Sequence, residues 1–192
     1  NNMVFGSITW FTWDIEDKIS WIPDESFFYT PQNLDKYKSS GWEIGMDIGP
    51  FYNINISLSY TYTDADEELF GGVRRKALNT TDNCYKTALE YSNDAGFNAE
   101  AVFRYTGDRP AYYNLGTDRS PAVVLASYST VDMKLEQRLQ GKWLISLQCN
   151  NMLDKEYYTY TESFFNQSTG AMTMEGYPGA GRSFFLEVGY RY

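Results

Sequence analysis

A chain of 192 residues with 43% hydrophobic side chains is long enough to bury one core, but a net charge of −9 leaves it without the basic surface that nucleic acid binding needs. It has no histidine, which removes Ser-His-Asp triads, H-E-x-x-H zinc sites and imidazole haem ligation. No run of about 18 apolar residues occurs and mean hydropathy is −0.49, which excludes transmembrane helices but not a barrel, where only alternate strand residues meet lipid.

Residues 1–5 lack the charged and apolar regions of a secretory signal and read as entry into a strand, so either a leader has been removed or the chain is a fragment. The first strand covers about residues 4–15, its phase left open by the adjacent Trp10 and Phe11, and a long loop over 16–40 follows. Trp42, Ile44, Met46 and Ile48 then alternate with Glu43, Gly45, Asp47 and Gly49 up to a short turn at Gly49 and Pro50. In the next run Tyr52, Ile54, Ile56, Leu58, Tyr60 and Tyr62 share one face and Asn53, Asn55, Ser57, Ser59 and Thr61 the other. That is the two-residue period of a half-buried strand, and no amphipathic helix carries it.

A second long loop spans 64–80. Its Asp64, Asp66, Glu67 and Glu68 suggest calcium, but Leu69 stands where an EF-hand-like loop needs glycine, which favours a solvated loop. Weaker alternation at Tyr85, Thr87, Leu89 and Tyr91 and at Phe97, Ala99, Ala101, Phe103 and Tyr105 flanks a short turn over 92–96. A third long loop covers 107–127. Val131, Met133, Leu135 and Leu139 then oppose Asp132, Lys134, Glu136 and Arg138, and a short turn over 140–142 leads to Trp143, Ile145, Leu147 and Cys149. A fourth long loop, 154–181, ends in Gly179-Ala180-Gly181, a flexible approach rather than a dinucleotide loop. In the last strand Phe184, Leu186, Val188, Tyr190 and Tyr192 share a phase. Cys84 and Cys149 fall on opposite faces and are expected to be unbridged. The glycosylation-type triplets at Asn55, Asn79 and Asn166 are read as chance.

Short and long connections alternate strictly, which puts every short turn at one end of an eight-stranded antiparallel sheet and every long loop at the other. That is the asymmetry of a bacterial outer-membrane barrel. Tyr52, Tyr91, Phe97, Trp143 and Tyr192 beside short turns, and Tyr60, Tyr62, Tyr105 and Tyr157 beside long loops, form two aromatic girdles. On this phase Ile56, Leu58, Met133, Leu135, Ile145 and Leu147 face lipid, and Ser57, Asp132, Glu136 and Ser146 face the lumen. Two other architectures carry similar alternation: a self-contained eight-stranded structural or adhesive barrel, and a soluble carbohydrate-binding β-sandwich.

Three segments carry a family resemblance. Asn151-Met152-Leu153-Asp154-Lys155-Glu156-Tyr157-Tyr158 resembles the N-L-F-D-K-x-Y-Y stretch of TonB-dependent receptors. Gly176-Tyr177-Pro178-Gly179-Ala180-Gly181-Arg182-Ser183-Phe184-Phe185 resembles their closing G-Y-P-x-x-G-R-x-F-F segment. Trp13-Asp14-Ile15-Glu16-Asp17-Lys18-Ile19 is similar to an earlier barrel element, and Val73-Arg74-Arg75 to a point of strand re-entry; Cys149 and Met152 depart mildly from the pattern.

The resemblance implies that residues 1–192 are the last eight strands of a 22-stranded barrel whose plug domain lies outside this chain. It implies import of a metal chelate, iron-siderophore first and cobalamin second, with no enzymatic chemistry and no cofactor. The implied partners are outer-membrane lipid and lipopolysaccharide, the TonB complex through the plug, the barrel assembly machinery and the chelate itself. Within the 107–127 loop, Arg109, Tyr112, Tyr113 and Arg119 are the candidate ligand contacts, because cations and aromatics suit anionic aromatic chelates. Phe184, Leu186, Val188, Tyr190 and Tyr192 are the candidate assembly signal.

Overall fold

Segments with a two-residue period must find partners on both edges, and here each pairs with its neighbour in sequence. The computed structural model describes residues 3–23, 29–69, 72–112, 123–166 and 171–192. Its strands are β1 (Met3–Pro23), β2 (Tyr29–Phe51), β3 (Ile54–Leu69), β4 (Val73–Lys76), β5 (Asn83–Ser92), β6 (Phe97–Thr106), β7 (Arg109–Tyr112), β8 (Val123–Leu125), β9 (Tyr128–Leu139), β10 (Trp143–Asn150), β11 (Tyr158–Asn166), β12 (Ala171–Pro178) and β13 (Ser183–Tyr190). The main sheet runs β1-β2-β3-β5-β6-β9-β10-β13, with β4 added beside β3. The ribbons β7–β8 and β11–β12 stand apart from it. Every pairing is antiparallel, and among the described residues there is no helix.

The register joins the apolar positions into one face. Ile8 lies opposite Ile44, Met46 opposite Leu58, Ile56 opposite Leu89, Thr87 opposite Phe103 and Ala101 opposite Met133. Leu135 lies opposite Leu147, which in turn lies opposite Leu186. The same register settles the first strand. Trp10 sits opposite Trp42 on the apolar face, and Phe11 lies on the other face over Gly41. A Cβ at Gly41 would fall 2.0 Å from the Tyr62 carbonyl oxygen and 2.6 Å from the Phe11 ring, so only glycine lets these strands approach.

No second layer covers the apolar face among the described residues: Leu58, Leu135, Ile145, Leu147, Leu186 and Val188 are all exposed. Ala88, Val102 and Ser146, on the opposite face, are buried. Cys84, opposite Thr61 and Thr106, lies on the polar face, and Cys149, opposite Met133 and Phe184, on the apolar one. Both thiols are free. Aromatic rings meet at both ends of the face. Tyr60 stacks on Tyr85 at 4.7 Å, and Tyr85 approaches Tyr105 at 5.5 Å; at the short-turn end Trp143 meets Tyr190 at 4.6 Å and Tyr91 meets Phe97 at 6.2 Å.

Three expectations are corrected. All four long connections contain paired strands rather than open loop: β1 and β2 continue as one ribbon over 16–23 and 29–40, β3 and β4 occupy much of 64–80, β7 and β8 part of 107–127, and β11 and β12 much of 154–181. In several of these ribbons cross-strand charge replaces apolar alternation. Asp14 pairs with Lys38 at 2.9 Å, Glu68 with Arg74 at 2.9 Å, and Asp64 with Lys76. The turn expected at Gly49 and Pro50 lies later, at Tyr52 and Asn53, whose φ angles are 50° and 68°. Tyr52 is therefore a fully exposed turn residue rather than a member of the strand face. The last strand ends at Tyr190, with Arg191 donating its N–H to the Lys142 carbonyl and Tyr192 fully exposed beyond it.

Candidate functional site

Above the sheet, the outer ribbons contain much of the buried side-chain volume. Ala65, Glu67, Ala77, Arg109, Ala111, Leu125 and Thr161 are all buried there. Glu67 accepts from Arg75 Nε at 2.7 Å and from Lys18 Nζ at 3.4 Å, which ties the β1–β2 ribbon to β3 and β4. At the exposed rim, the hydrogen bond from Arg74 holds the Glu68 carboxyl below its ordinary range and raises the Arg74 guanidinium in turn.

Arg109 is 6% exposed and lies at a junction. One terminal nitrogen donates to the carbonyls of Tyr158 at 3.0 Å and Thr159 at 2.7 Å, joining ribbon β7–β8 to ribbon β11–β12, and its guanidinium lies 5.9 Å from the Tyr128 ring. The other terminal nitrogen is buried without a hydrogen-bond partner among the described residues. The next residue's carbonyl, Pro110, accepts from Asn79 N–H at 2.7 Å, which brings the segment after β4 to the same junction. Of the other candidate contacts, Tyr112 ends β7 opposite Val123, and its side chain lies outside the described residues, as do Tyr113 and Arg119 altogether.

Beneath the ribbons, the polar face of β6, β9 and β10 forms a hollow of 280 Å³ at its outer end. Arg104, Thr130, Asp132, Asn150, Asn151 and Tyr157 line it. Arg104 is ion-paired to Asp132 across the strands. The other oxygen of Asp132 accepts the Asn151 N–H at 2.8 Å. Tyr157 stacks on Tyr128 at 4.1 Å, and burial pushes its phenol up. A Cβ at Gly179 would fall 2.1 Å from the Tyr157 ring, so glycine is what lets that ring lie against the chain. Further along the same face lie Glu100, Lys134, Gln148 and Glu136.

The Asn151–Asp154 turn holds this corner together. Asn151 is buried with φ 47°, and Asp154 has φ 52°. The Asn151 side chain accepts from Lys155 N–H at 2.9 Å and donates to the carbonyls of Lys155 at 2.9 Å and Ala180 at 3.0 Å. Asp154 accepts the Arg182 N–H at 3.1 Å. The motif resemblance pointed to this stretch, but not to its work, which is to staple β9 and β10 to the chain entering β13. Asn151→Ala is expected to cost about 2 kcal/mol, from three hydrogen bonds lost at a buried site and a left-handed backbone that asparagine tolerates better. Denaturant unfolding of the variant in lipid checks this, with Asn93→Ala at a short turn as the comparison.

A polar hollow on one face of a single-layer sheet, under paired outer ribbons, with an uncovered apolar face behind it, defines a wall of a transmembrane β-barrel. A carbohydrate-binding sandwich, which needs a second sheet on that apolar face, does not fit it. Among the described residues no three potential ligands are grouped to hold a metal ion.

The family model described as "TonB dependent receptor-like, beta-barrel" matches residues 1–152, and the chain belongs to that family. It is thus an outer-membrane protein of Gram-negative bacteria, from a family of receptors rather than enzymes. A vitamin B12 transporter, BtuB, of Vibrio vulnificus is 26% identical over 183 residues, covering 93% of this chain and 26% of the transporter. Among solved structures, the ferric-catecholate import receptor Fiu of E. coli K12 superposes with a TM-score of 0.69 at 20% identity, over 98% of this chain and 25% of that one. The ferric yersiniabactin uptake receptor FyuA of Yersinia pestis gives a TM-score of 0.72 at 16% identity, over 97% and 27%. The chain therefore spans about a quarter of the relatives it matches.

Proposed function

We propose that this chain is the C-terminal portion of a 22-stranded barrel that imports a metal chelate with energy from TonB, an iron-siderophore first and cobalamin second. The observation that carries the reading is the polar hollow of Arg104, Asp132, Asn150 and Asn151 directly beneath ribbons clasped by Arg109. The printed roles of the relatives, vitamin B12 transport and ferric-siderophore import, support the substrate class. The open sheet supports the larger barrel: among the described residues β1 does not pair with β13, as a self-contained eight-stranded barrel would require. The chelate binds at the outer mouth to ribbons and plug, and this chain supplies wall and outer ribbons.

Uptake of radiolabelled ferric siderophores and of cyanocobalamin by a strain lacking the gene, with and without a functional TonB complex, tests the reading. TonB-dependent loss of one of them is expected; unchanged uptake of both classes would sink it. In the same assay Arg109→Ala should lower uptake severalfold while the barrel still assembles, because this side chain sets how two ribbons sit rather than closing the wall. Complete failure of assembly would contradict that placement.

The apolar face of Phe184, Leu186, Val188 and Tyr190, with Tyr192 beyond the strand, is proposed as the assembly signal. Deleting Tyr192 should slow assembly in cells, seen as periplasmic precursor in pulse-chase, with little change in the stability of the folded barrel.

A further inference from the structure

The junction between the two outer ribbons buries two polar groups that have no hydrogen-bond partner among the described residues, one terminal nitrogen of Arg109 and the hydroxyl of Thr161. Arg109 on β7 lies opposite Leu125 on β8, and both are buried. Apart from its partner β12, β11 packs against β7 and β8. On β11 Thr161 is buried while Tyr160 beside it is exposed, so Thr161 is the residue turned to the junction.

Closing this junction sets two terms of similar size against each other. In favour stand the hydrogen bonds from Arg109 to the carbonyls of Tyr158 and Thr159 and the burial of Ala111 and Leu125. Against stands the desolvation of a full charge whose acceptors are neutral carbonyls rather than a carboxylate, together with the two groups left unpaired. With the ribbons apart, water satisfies both groups. That near-balance is the condition for an element with two states.

The anchoring decides which ribbon moves. β7–β8 is held on its other flank, where Pro110 accepts the Asn79 N–H at 2.7 Å and Gly107 donates its N–H to the Asn83 carbonyl at 2.8 Å. β11–β12 is stapled at its base, where the Asn151 side chain reaches the Lys155 and Ala180 carbonyls, and above that staple Arg109 ties it to β7–β8. The 280 Å³ hollow opens beside that base, with Tyr157 in its lining.

We propose that Arg109 and Thr161 form a releasable latch. In the closed state Arg109 holds β11–β12 against β7–β8; in the open state β11–β12 swings away on its stapled base, the guanidinium and the hydroxyl both take water, and the hollow is uncovered. The unpaired groups keep the closed state from becoming permanent. The latch concerns how the ribbons move, whatever passes beneath them, and its test reads a distance rather than uptake, so failure of either reading leaves the other standing.

The test is pulsed electron paramagnetic resonance on the whole barrel protein in lipid nanodiscs. Spin labels go on Val124→Cys and Glu175→Cys, both exposed, in a Cys84→Ser, Cys149→Ser background. The parent should give two distances, a shorter and a longer. Thr161→Val keeps the shape of the side chain and removes the unpaired hydroxyl, so it should lower the ratio of long to short about tenfold. Thr161→Ser, which restores the hydroxyl, should return the ratio close to the parent value, and Arg109→Ala should make the longer distance dominant. A hydroxyl that merely supported the fold would act in the opposite sense, its loss loosening the junction. Heat-modifiable gel migration confirms that each variant is folded; if Arg109→Ala fails that check, the two Thr161 variants decide. A single distance in the parent, or a longer population that Thr161→Val leaves unchanged or raises, would overturn the latch.

Discussion

Leu135→Arg is expected to destabilise the folded protein in a bilayer by about 2–4 kcal/mol, and Ser57→Arg by far less. Leu135 lies between Ala99 and Leu147 on the apolar face, near mid-depth, where a guanidinium has neither water nor a counter-charge within reach. Ser57 lies on the opposite face and donates its hydroxyl to Asp47 at 2.7 Å, so an arginine there meets a carboxylate. Refolding into phosphatidylcholine vesicles at graded denaturant separates the two. Equal shifts in midpoint would mean that this assignment of the two faces is wrong.

Glu67→Ala is expected to loosen the outer ribbons by about 3 kcal/mol, the lower part of the range for breaking a buried ion pair. The contact that decides this is the one to Arg75, 2.7 Å long with both side chains largely buried; the half-exposed Lys18 contact at 3.4 Å adds little. Arg75 keeps other contacts, which is why the lower figure applies. The loss is local, because Glu67 sits in the ribbons above the wall. Amide exchange in the outer part of β3 and in β4 should therefore quicken by about a hundredfold, with the wall strands unchanged. Glu67→Gln, which retains a hydrogen-bond acceptor, should fall between. Uniform acceleration through β9 and β10 would show that ribbons and wall unfold as one unit.

The wall was legible in the sequence because its two faces meet different solvents. Ile54 to Tyr62 alternates strictly for that reason, Trp143 to Cys149 does so but for Leu144, and the register pairs Ile54 to Tyr62 with β5 and Trp143 to Cys149 with β9 without a slip. Above the membrane that contrast vanishes. Asp14 with Lys38 and Glu68 with Arg74 are strand partners whose signal is charge across a ladder, visible only once the register is known. In the sequence only its charge marks Arg109, and marks it as exposed; its burial depends on carbonyls of Tyr158 and Thr159 that sequence cannot bring near. Resemblance alone marks Asn151, since nothing local announces a left-handed turn that reaches Ala180.

Above the membrane Ala77, Ala111 and Leu125 are buried by the protein itself, whereas in the wall Leu135, Ile145, Leu147 and Val188 touch only their strand neighbours and stay exposed among the described residues. The wall's hydrophobic free energy is thus supplied by whatever amphiphile surrounds it, and the amphiphile behaves as a ligand of the folded state, present at high concentration in a membrane and absent in water. Stability of this protein is then a function of a chemical potential that soluble proteins do not sense. Dilution below the micelle concentration acts on it as a denaturant does on them, while leaving the ribbons, which carry their own interior, the last part to feel the change.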